Sequence, residues 1–372
     1  MVWLAGALGC RAESILRGAD SVIGNRYGTR RRHVTAIIGL LPARVRADDE
    51  FMTDDNTSKP RAAVIGVGYL GKFHARKFAE VAACELVAVV DIDRNAREDV
   101  AAELGVEAVD DYRKLIGEVD AVSVVVPTPA HFEIAEAFLD SGTSVLVEKP
   151  ITETVEQATR LIDTAGKRGA VLQVGHLERF NPAVRALKSH LHNPRFVESV
   201  RIAPYRDRGT DVDVVLDLMI HDIDLIQYIA GSNIERIEAV GAAVITNKPD
   251  LANARIRFES GCVANVTASR TSLKVERKVR IFQQNCYFSA DLHQKTVSVY
   301  RKGESTIGDV RVPITIETLQ CDDGDALRLE IESFLDAVRD GTPPVVSGED
   351  GRRALETAMD IVAQVEDWTR SH

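Results

Sequence analysis

AAVIGVGYLG, residues 62–71, sets an apolar run against a glycine-rich turn, Gly66-x-Gly68-x-x-Gly71, and a helical pattern follows at once. An apolar run without alternation marks a strand buried on both faces. About twenty residues past Gly71, VAVVD (87–91) ends a second such run on Asp91. Each part has a physical reason. Gly66 permits a tight turn, Gly68 lets the backbone approach a pyrophosphate, Gly71 lets the helix lie close on the strand, and the acid meets ribose hydroxyls. Tyr69 and Leu70 complete the turn, and the helix start behind them offers unpaired N–H groups to phosphate. The sequence predicts a dinucleotide held by Gly66, Gly68, Tyr69, Leu70, Gly71 and Asp91. A carboxylate at Asp91 repels a 2′-phosphate, so NAD is expected over NADP, with Arg94 the residue that would soften that preference.

Outward from this stretch, further apolar runs at 85–91, 121–127, 144–150 and 170–175 alternate with helical patterns at about 70–82, 94–104, 130–141 and 155–168. That alternation implies right-handed crossovers and a doubly wound parallel sheet, a Rossmann domain over residues 58–175. After Arg195 the grammar changes to eight runs of period-two character, among them FVESVRIAP, NARIRFES, CVANVTASR and VRVPITIE. They predict a large, mostly antiparallel open sheet in an α+β domain spanning 176–372, closed by helices at about 325–340 and 350–369. Residues 1–57 do not conform. Eight arginines stand there before Ala47, against Glu13 and Asp20 alone. The favoured reading is an upstream extension ahead of a start at Met52, with a transit-like leader as the alternative, and the segment is expected to be poorly ordered or peripheral.

Composition narrows the classes. The chain has 372 residues, 45% apolar and 27% charged, ordinary values for a globular protein of two domains. A net charge of -10 argues against a nucleic-acid partner, and no apolar run is long enough to span a bilayer. Cys10, Cys84, Cys262, Cys286 and Cys321 are scattered without a CxxC pair. Neither a disulfide framework nor a metal site is expected, and a cytoplasmic location fits best.

The chemistry is read at two places. Glu148-Lys149-Pro150 ends the fourth run, at the sheet edge where ligands of open parallel sheets bind; a surface lysine capping a strand is the bland alternative. DVDVVLDLMIHDIDLIQYIAG (211–231) carries Asp217, His221, Asp224 and Tyr228 at helical spacing on one face, amid leucine and isoleucine. So apolar a helix is largely buried, and its polar stripe faces either solvent or a polar cavity. A histidine one turn from an aspartate suits a general base: the carboxylate would fix the imidazole tautomer and favour its protonated form. Thr128, Pro129 and His131, after the third run, are expected beside the dinucleotide, although His131 also reads as a helix start. His176, after the fifth run, reads equally as a cleft residue or a structural one.

Together the glycine fingerprint, Glu148-Lys149-Pro150 and Asp217-x-x-x-His221 resemble the glucose–fructose oxidoreductase / inositol dehydrogenase / rhizopine-catabolism (Gfo/Idh/MocA) family over about residues 60–370. The resemblance implies that Lys149, Asp217 and His221 form the catalytic group, and that the antiparallel sheet builds homodimers or homotetramers. VGHLERFNPAV (174–184) and the stretch 203–225 further resemble bacterial nucleotide-sugar 3-dehydrogenases, above all those acting on UDP-N-acetylglucosamine and preparing a 3-amino sugar of lipid A with a downstream aminotransferase. A nucleotide sugar carries a diphosphate, and Arg179, Arg206 and Arg208 are candidates to hold it, since guanidinium matches phosphate geometry; ordinary ion pairs are the alternative for each. Asn181 is a substrate-contact candidate or simply a helix cap. Lys149 and His221 both reach for the sugar oxygen in this reading, and either can be the base. A polyol dehydrogenase of the same family and a non-catalytic NAD-binding regulator are the competing functions.

Overall fold

The computed structural model describes residues 59–205, 213–307 and 310–371. The expected extension, 1–57, lies outside them, as do Arg206 and Arg208.

Six parallel strands form the first sheet: β1 (Arg61–Ile65), β2 (Glu85–Val90), β3 (Glu107–Val109), β4 (Ala121–Val124), β5 (Ser144–Glu148) and β6 (Leu172–Gly175). Their order is β3-β2-β1-β4-β5-β6, so the direction of winding reverses between β1 and β4. A ligand crevice opens at such a reversal. Helices α1 (Gly71–Glu80), α2 (Arg94–Leu104), α3 (His131–Asp140) and α4 (Val155–Arg168) link the strands. Local sequence sets their ends. Asp93 accepts from the Asn95 and Ala96 N–H groups to start α2, and Thr154 with Gln157 makes a capping box on α4. Gly105 and Gly169 close the same helices in the left-handed conformation. The short β3 is an addition to the strands expected from sequence.

The second sheet has eight strands: β7 (Phe196–Ile202), β8 (Ile234–Ala242), β9 (Leu251–Phe258), β10 (Val263–Ser269), β11 (Glu276–Gln283), β12 (Cys286–Asp291), β13 (Thr296–Ile307) and β14 (Val310–Leu319). The order is β14-β13-β12-β11-β7-β10-β9-β8, antiparallel except where β7 lies parallel to β10. One face packs on α5 (Pro182–Lys188), α6 (Ile220–Ala230) and α8 (Gly348–Ser371), with Ile223, Ile226, Ile256, Val266, Phe288 and Ile361 fully buried between them. The opposite face is half-open. It carries a ladder of rings, in which Phe282 stacks on Tyr287 at 5.1 Å and Tyr287 on Tyr300 at 4.2 Å.

Sequence order and packing part company at α7 (Ala326–Asp340). Although it follows the second sheet, its apolar stripe of Ile331, Phe334 and Leu335 packs on the first, against Ala62, Val64, Phe78 and Leu146. No helix among the described residues is long and apolar enough to cross a membrane.

Candidate active site

At the turn after β1 the three glycines differ. A Cβ on Gly66 would lie 2.7 Å from the Val125 carbonyl oxygen, and one on Gly71 would overlap the Gly66 carbonyl. Both positions are closed to any side chain by the fold itself. Nothing lies within 4 Å of a Cβ on Gly68, where a cavity of about 250 Å³ opens beside Tyr69 and Ala96. Open space over a backbone at a helix start is what a pyrophosphate requires. Asp91 accepts the Val67 N–H at 2.8 Å and the Asp93 N–H at 2.9 Å, which fixes its carboxylate and leaves lone pairs for ribose hydroxyls. Arg94 is engaged by Glu98 at 2.7 Å. These residues fit a bound NAD. Gly68→Ala is expected to leave the urea midpoint nearly unchanged while weakening NAD binding by about 1.4 kcal/mol or more, tenfold in affinity. Equal calorimetric affinities for the two proteins would remove Gly68 from the site.

Thr128 and Pro129 follow β4 in a single 3-10 turn. With Pro150 from one domain and Asp213 and Leu216 from the other, they line a cavity of about 920 Å³. His131 is a correction to the expected cofactor contacts. It is 1% exposed, and its ring nitrogens face the carbonyls of Pro150 at 2.9 Å and Val126 at 2.8 Å. It ties the two loops together from beneath. Glu148 likewise turns inward, 3.1 Å from His74 Nε2, while His74 Nδ1 lies 2.9 Å from Ser123 Oγ. Burial alone would raise the Glu148 carboxyl; His74 and the Lys149 charge outweigh it and hold the group below its ordinary value.

Lys149 crosses from the end of β5 to the second domain. Its Nζ donates to the Asp217 backbone carbonyl at 2.9 Å and stands 4.0 Å from the Asp217 carboxylate. Burial pulls this ammonium below the usual lysine range, and Asp217 and Glu148 oppose that pull. Asp217 sits in a π turn, Val215–Met219, that precedes α6. Such wide turns inside helices recur at functional sites. The extra residue changes the phase between Asp217 and His221, and no hydrogen bond joins them among the described residues. The expected aspartate–histidine couple is therefore corrected: Asp217 serves Lys149. His221 is not biased toward protonation either. Burial, and then the Lys149 charge, hold its imidazole well below the ordinary histidine value. Its Nδ1 is buried without a partner, whereas Nε2 is not among the orphaned buried atoms.

Two further expectations fail on burial. The Arg179 side chain is 4% exposed and clamps Asp224 with two bonds, Nε to Oδ2 at 2.8 Å and Nη2 to Oδ1 at 2.6 Å. Its guanidinium also lies over the Tyr228 ring at 4.5 Å, so Asp224 and Tyr228 hold a helix in place and leave no fork for a phosphate. Asn181 caps α5 through the Ala183 N–H and donates to Glu178 and the Leu292 carbonyl. Sequence reading missed His74 and Arg201. His74 is three residues past Gly71, on the face of α1 that meets the sheet, and that offset is the signal that could have found it. Arg201 is in phase with inward-facing Val197 and Ser199 on β7, a position where a charge needs buried partners; it has Asp222 at 2.5 Å and Glu178 at 2.9 Å.

Residues 60–176 match the oxidoreductase family with an NAD-binding Rossmann fold, and residues 183–286 match the GFO/IDH/MocA C-terminal domain. The chain belongs to the Gfo/Idh/MocA family. It is thus an NAD-dependent oxidoreductase. Among Gfo/Idh/MocA relatives, the UDP-N-acetylglucosamine 3-dehydrogenase of Acidithiobacillus ferrooxidans is 40% identical over 307 residues, 82% of this chain and 97% of that protein. A solved structure of that enzyme superposes with a TM-score of 0.80 at 39% identity, covering 83% of this chain and 98% of the other. The scyllo-inositol 2-dehydrogenase (NAD(+)) of Bacillus subtilis is 29% identical over 323 residues, 80% of this chain and 92% of that protein.

Proposed function

We propose that this Gfo/Idh/MocA enzyme oxidises a secondary hydroxyl of a sugar to a ketone, at C3 of a nucleotide sugar of the UDP-N-acetylglucosamine type. The observation that carries the reading is the convergence of Lys149 on the π turn that leads into His221. A buried cation and an unprotonated imidazole are the two groups such an oxidation needs. Bound NAD supplies the acceptor for the hydride leaving C3. His221 Nε2 takes the hydroxyl proton, and Lys149 hydrogen-bonds the same oxygen and stabilises the negative charge that develops on it. Asp217 keeps Lys149 charged against burial. With Arg179 committed to Asp224, the sugar diphosphate falls to Arg206 and Arg208.

The 40% identity to a UDP-N-acetylglucosamine 3-dehydrogenase supports the nucleotide-sugar substrate, and an aminotransferase converting the keto sugar for lipid A is the downstream partner this proposal carries with it. The inositol dehydrogenase likeness supports the second reading, a free polyol. The half-open face of the eight-stranded sheet, with its stacked rings, supports assembly of a homodimer or homotetramer through that face. The test is to incubate the protein and NAD with UDP-N-acetylglucosamine, UDP-glucose and scyllo-inositol, following NADH absorbance and the mass of the keto product, with an aminotransferase added to draw the oxidation forward. Oxidation of UDP-N-acetylglucosamine is expected to dominate. Turnover of inositol with none of the UDP-sugars would replace this reading by the polyol one.

A further inference from the structure

Six buried side-chain polar atoms among the described residues have no hydrogen-bond partner. Three belong to Gln173 and Glu330, at the contact of β6 with α7. The other three are ring nitrogens: Nδ1 of His221 and both nitrogens of His176. His176 is 1% exposed and follows β6 directly, where Gly175 is in register with Glu148, so it stands beside Lys149 at the sheet edge. A buried polar atom left unpaired costs about 1–3 kcal/mol, and such a cost three times over in one place calls for an explanation.

A neutral imidazole has one donor and one acceptor nitrogen. For Nε2 of His221 to receive a proton, the hydrogen must sit on Nδ1, and a buried Nδ1–H needs an acceptor. His176 opens the 3-10 turn Leu177–Phe180, which packs against α6, and the other titratable side chains around His221 are Lys149 after β5, Arg201 from β7 and Arg277 from β11. Lysine and arginine have no lone pair to offer. Arg201 is bound to Asp222 and Glu178, and Arg277 lies 3.7 Å from Glu178. On the same helix, Asp217 faces Lys149. His176 alone in this set can accept. Burial also keeps His176 itself neutral, with Asp224 and Arg179 acting on it in opposite directions.

We infer that His176 is the positioning residue for His221: it accepts the Nδ1–H through one trapped water, which would satisfy an orphaned nitrogen on each ring, and so fixes Nε2 as the nitrogen facing the sugar hydroxyl. The inference rests on the reading of His221 as the base and deepens it. A neutral partner suits this place better than a carboxylate would. It orients the ring without adding a negative charge beside the cation at Lys149, which the sugar oxygen requires for itself.

The test uses the full-length protein with ¹⁵N-labelled histidine, the His221 signals being assigned by their loss in His221→Ala. Without any sugar present, the NAD complex is expected to show His221 protonated at Nδ1. His176→Phe, equal in breadth and without nitrogen, is expected to move the hydrogen to Nε2 and to lower kcat about 10²-fold with little change in KM. His176→Asn and His176→Gln each restore a side-chain acceptor, and at least one is expected to recover the Nδ1–H form and most of the lost turnover. An unchanged tautomer in His176→Phe, a loss confined to KM, or no recovery with either amide would overturn the inference. Because the tautomer is read without substrate, a wrong sugar leaves this result intact. Normal turnover in His221→Ala would instead sink the base assignment.

Discussion

Lys149→Ala and His221→Ala each lose about 10²–10⁴-fold in kcat, the range that a positioned proton-transfer or charge-stabilising group contributes, while NAD still binds. The separation follows from where the groups stand. On the proposed reading the dinucleotide would rest on Gly68 in the turn after β1 and on Asp91 after β2, whereas the Lys149 ammonium points across to the Asp217 carbonyl. The loss is expected to be in the chemical step because, in the proposed mechanism, both groups would interact with charge that appears only as the hydroxyl is oxidised. Lys149→Arg is not a rescue. The planar guanidinium fork does not reproduce the compact point donor of this 16% exposed ammonium. Rates of NADH formation at saturating substrate, with NAD affinity from calorimetry, check the pair. Near-normal kcat in either alanine variant removes that residue from the mechanism. The pH dependence has a definite sign. Burial lowers the His221 pKa, so the base stays unprotonated below the ordinary histidine value of about 6.5, and the acid limb of kcat/KM is expected under that value.

The second large effect is on stability. Asp222→Ala is expected to cost about 3–5 kcal/mol, the penalty for leaving one member of a buried ion network without its partner. Arg201 is 4% exposed and is satisfied by Asp222 on α6 and Glu178 in the turn after β6, while Ser199 donates to Asp222 at 2.7 Å. Removing Asp222 leaves a guanidinium under the active-site helix that water cannot reach. Joint replacement, Arg201→Met with Asp222→Leu, is expected to recover most of the loss because no charge stays behind. A contrasting pair is Arg76–Glu103, about half exposed on both sides, whose deletion should leave the urea midpoint nearly unchanged. Urea unfolding of the three variants measures all of this; an Asp222→Ala midpoint equal to that of Glu103→Ala would show the network to be inert.

The division between what could be read in the chain and what could not follows the range of the interactions. Strands and helix ends were legible because their signals are local. Valine-rich runs mark β4 and β5, alternation marks β9 and β10, and glycine closes α2 and α4. The three-residue β3 was not legible, since Glu107-Ala108-Val109 buries only one side chain. At the site, the glycine turn and Lys149 were placed by position on the sheet edge. Arg179 and Asn181 were misread because a motif states which residues are neighbours in sequence and not which carboxylate comes to meet them: Asp224 reaches Arg179 across 45 positions. Asp217 was misread for a different reason. Helical spacing assumes one pitch throughout, and the π turn breaks that assumption one turn before His221.

The return of α7 to the first sheet has a consequence for how this enzyme is made. A ribosome releases the nucleotide-binding half long before residues 331–335 exist, and until they emerge Val64, Phe78 and Leu146 have no Phe334 to cover them. The early half of the nascent chain must wait, partly uncovered, for a late segment to finish it, and a fragment cut at residue 176 would inherit that same bare flank.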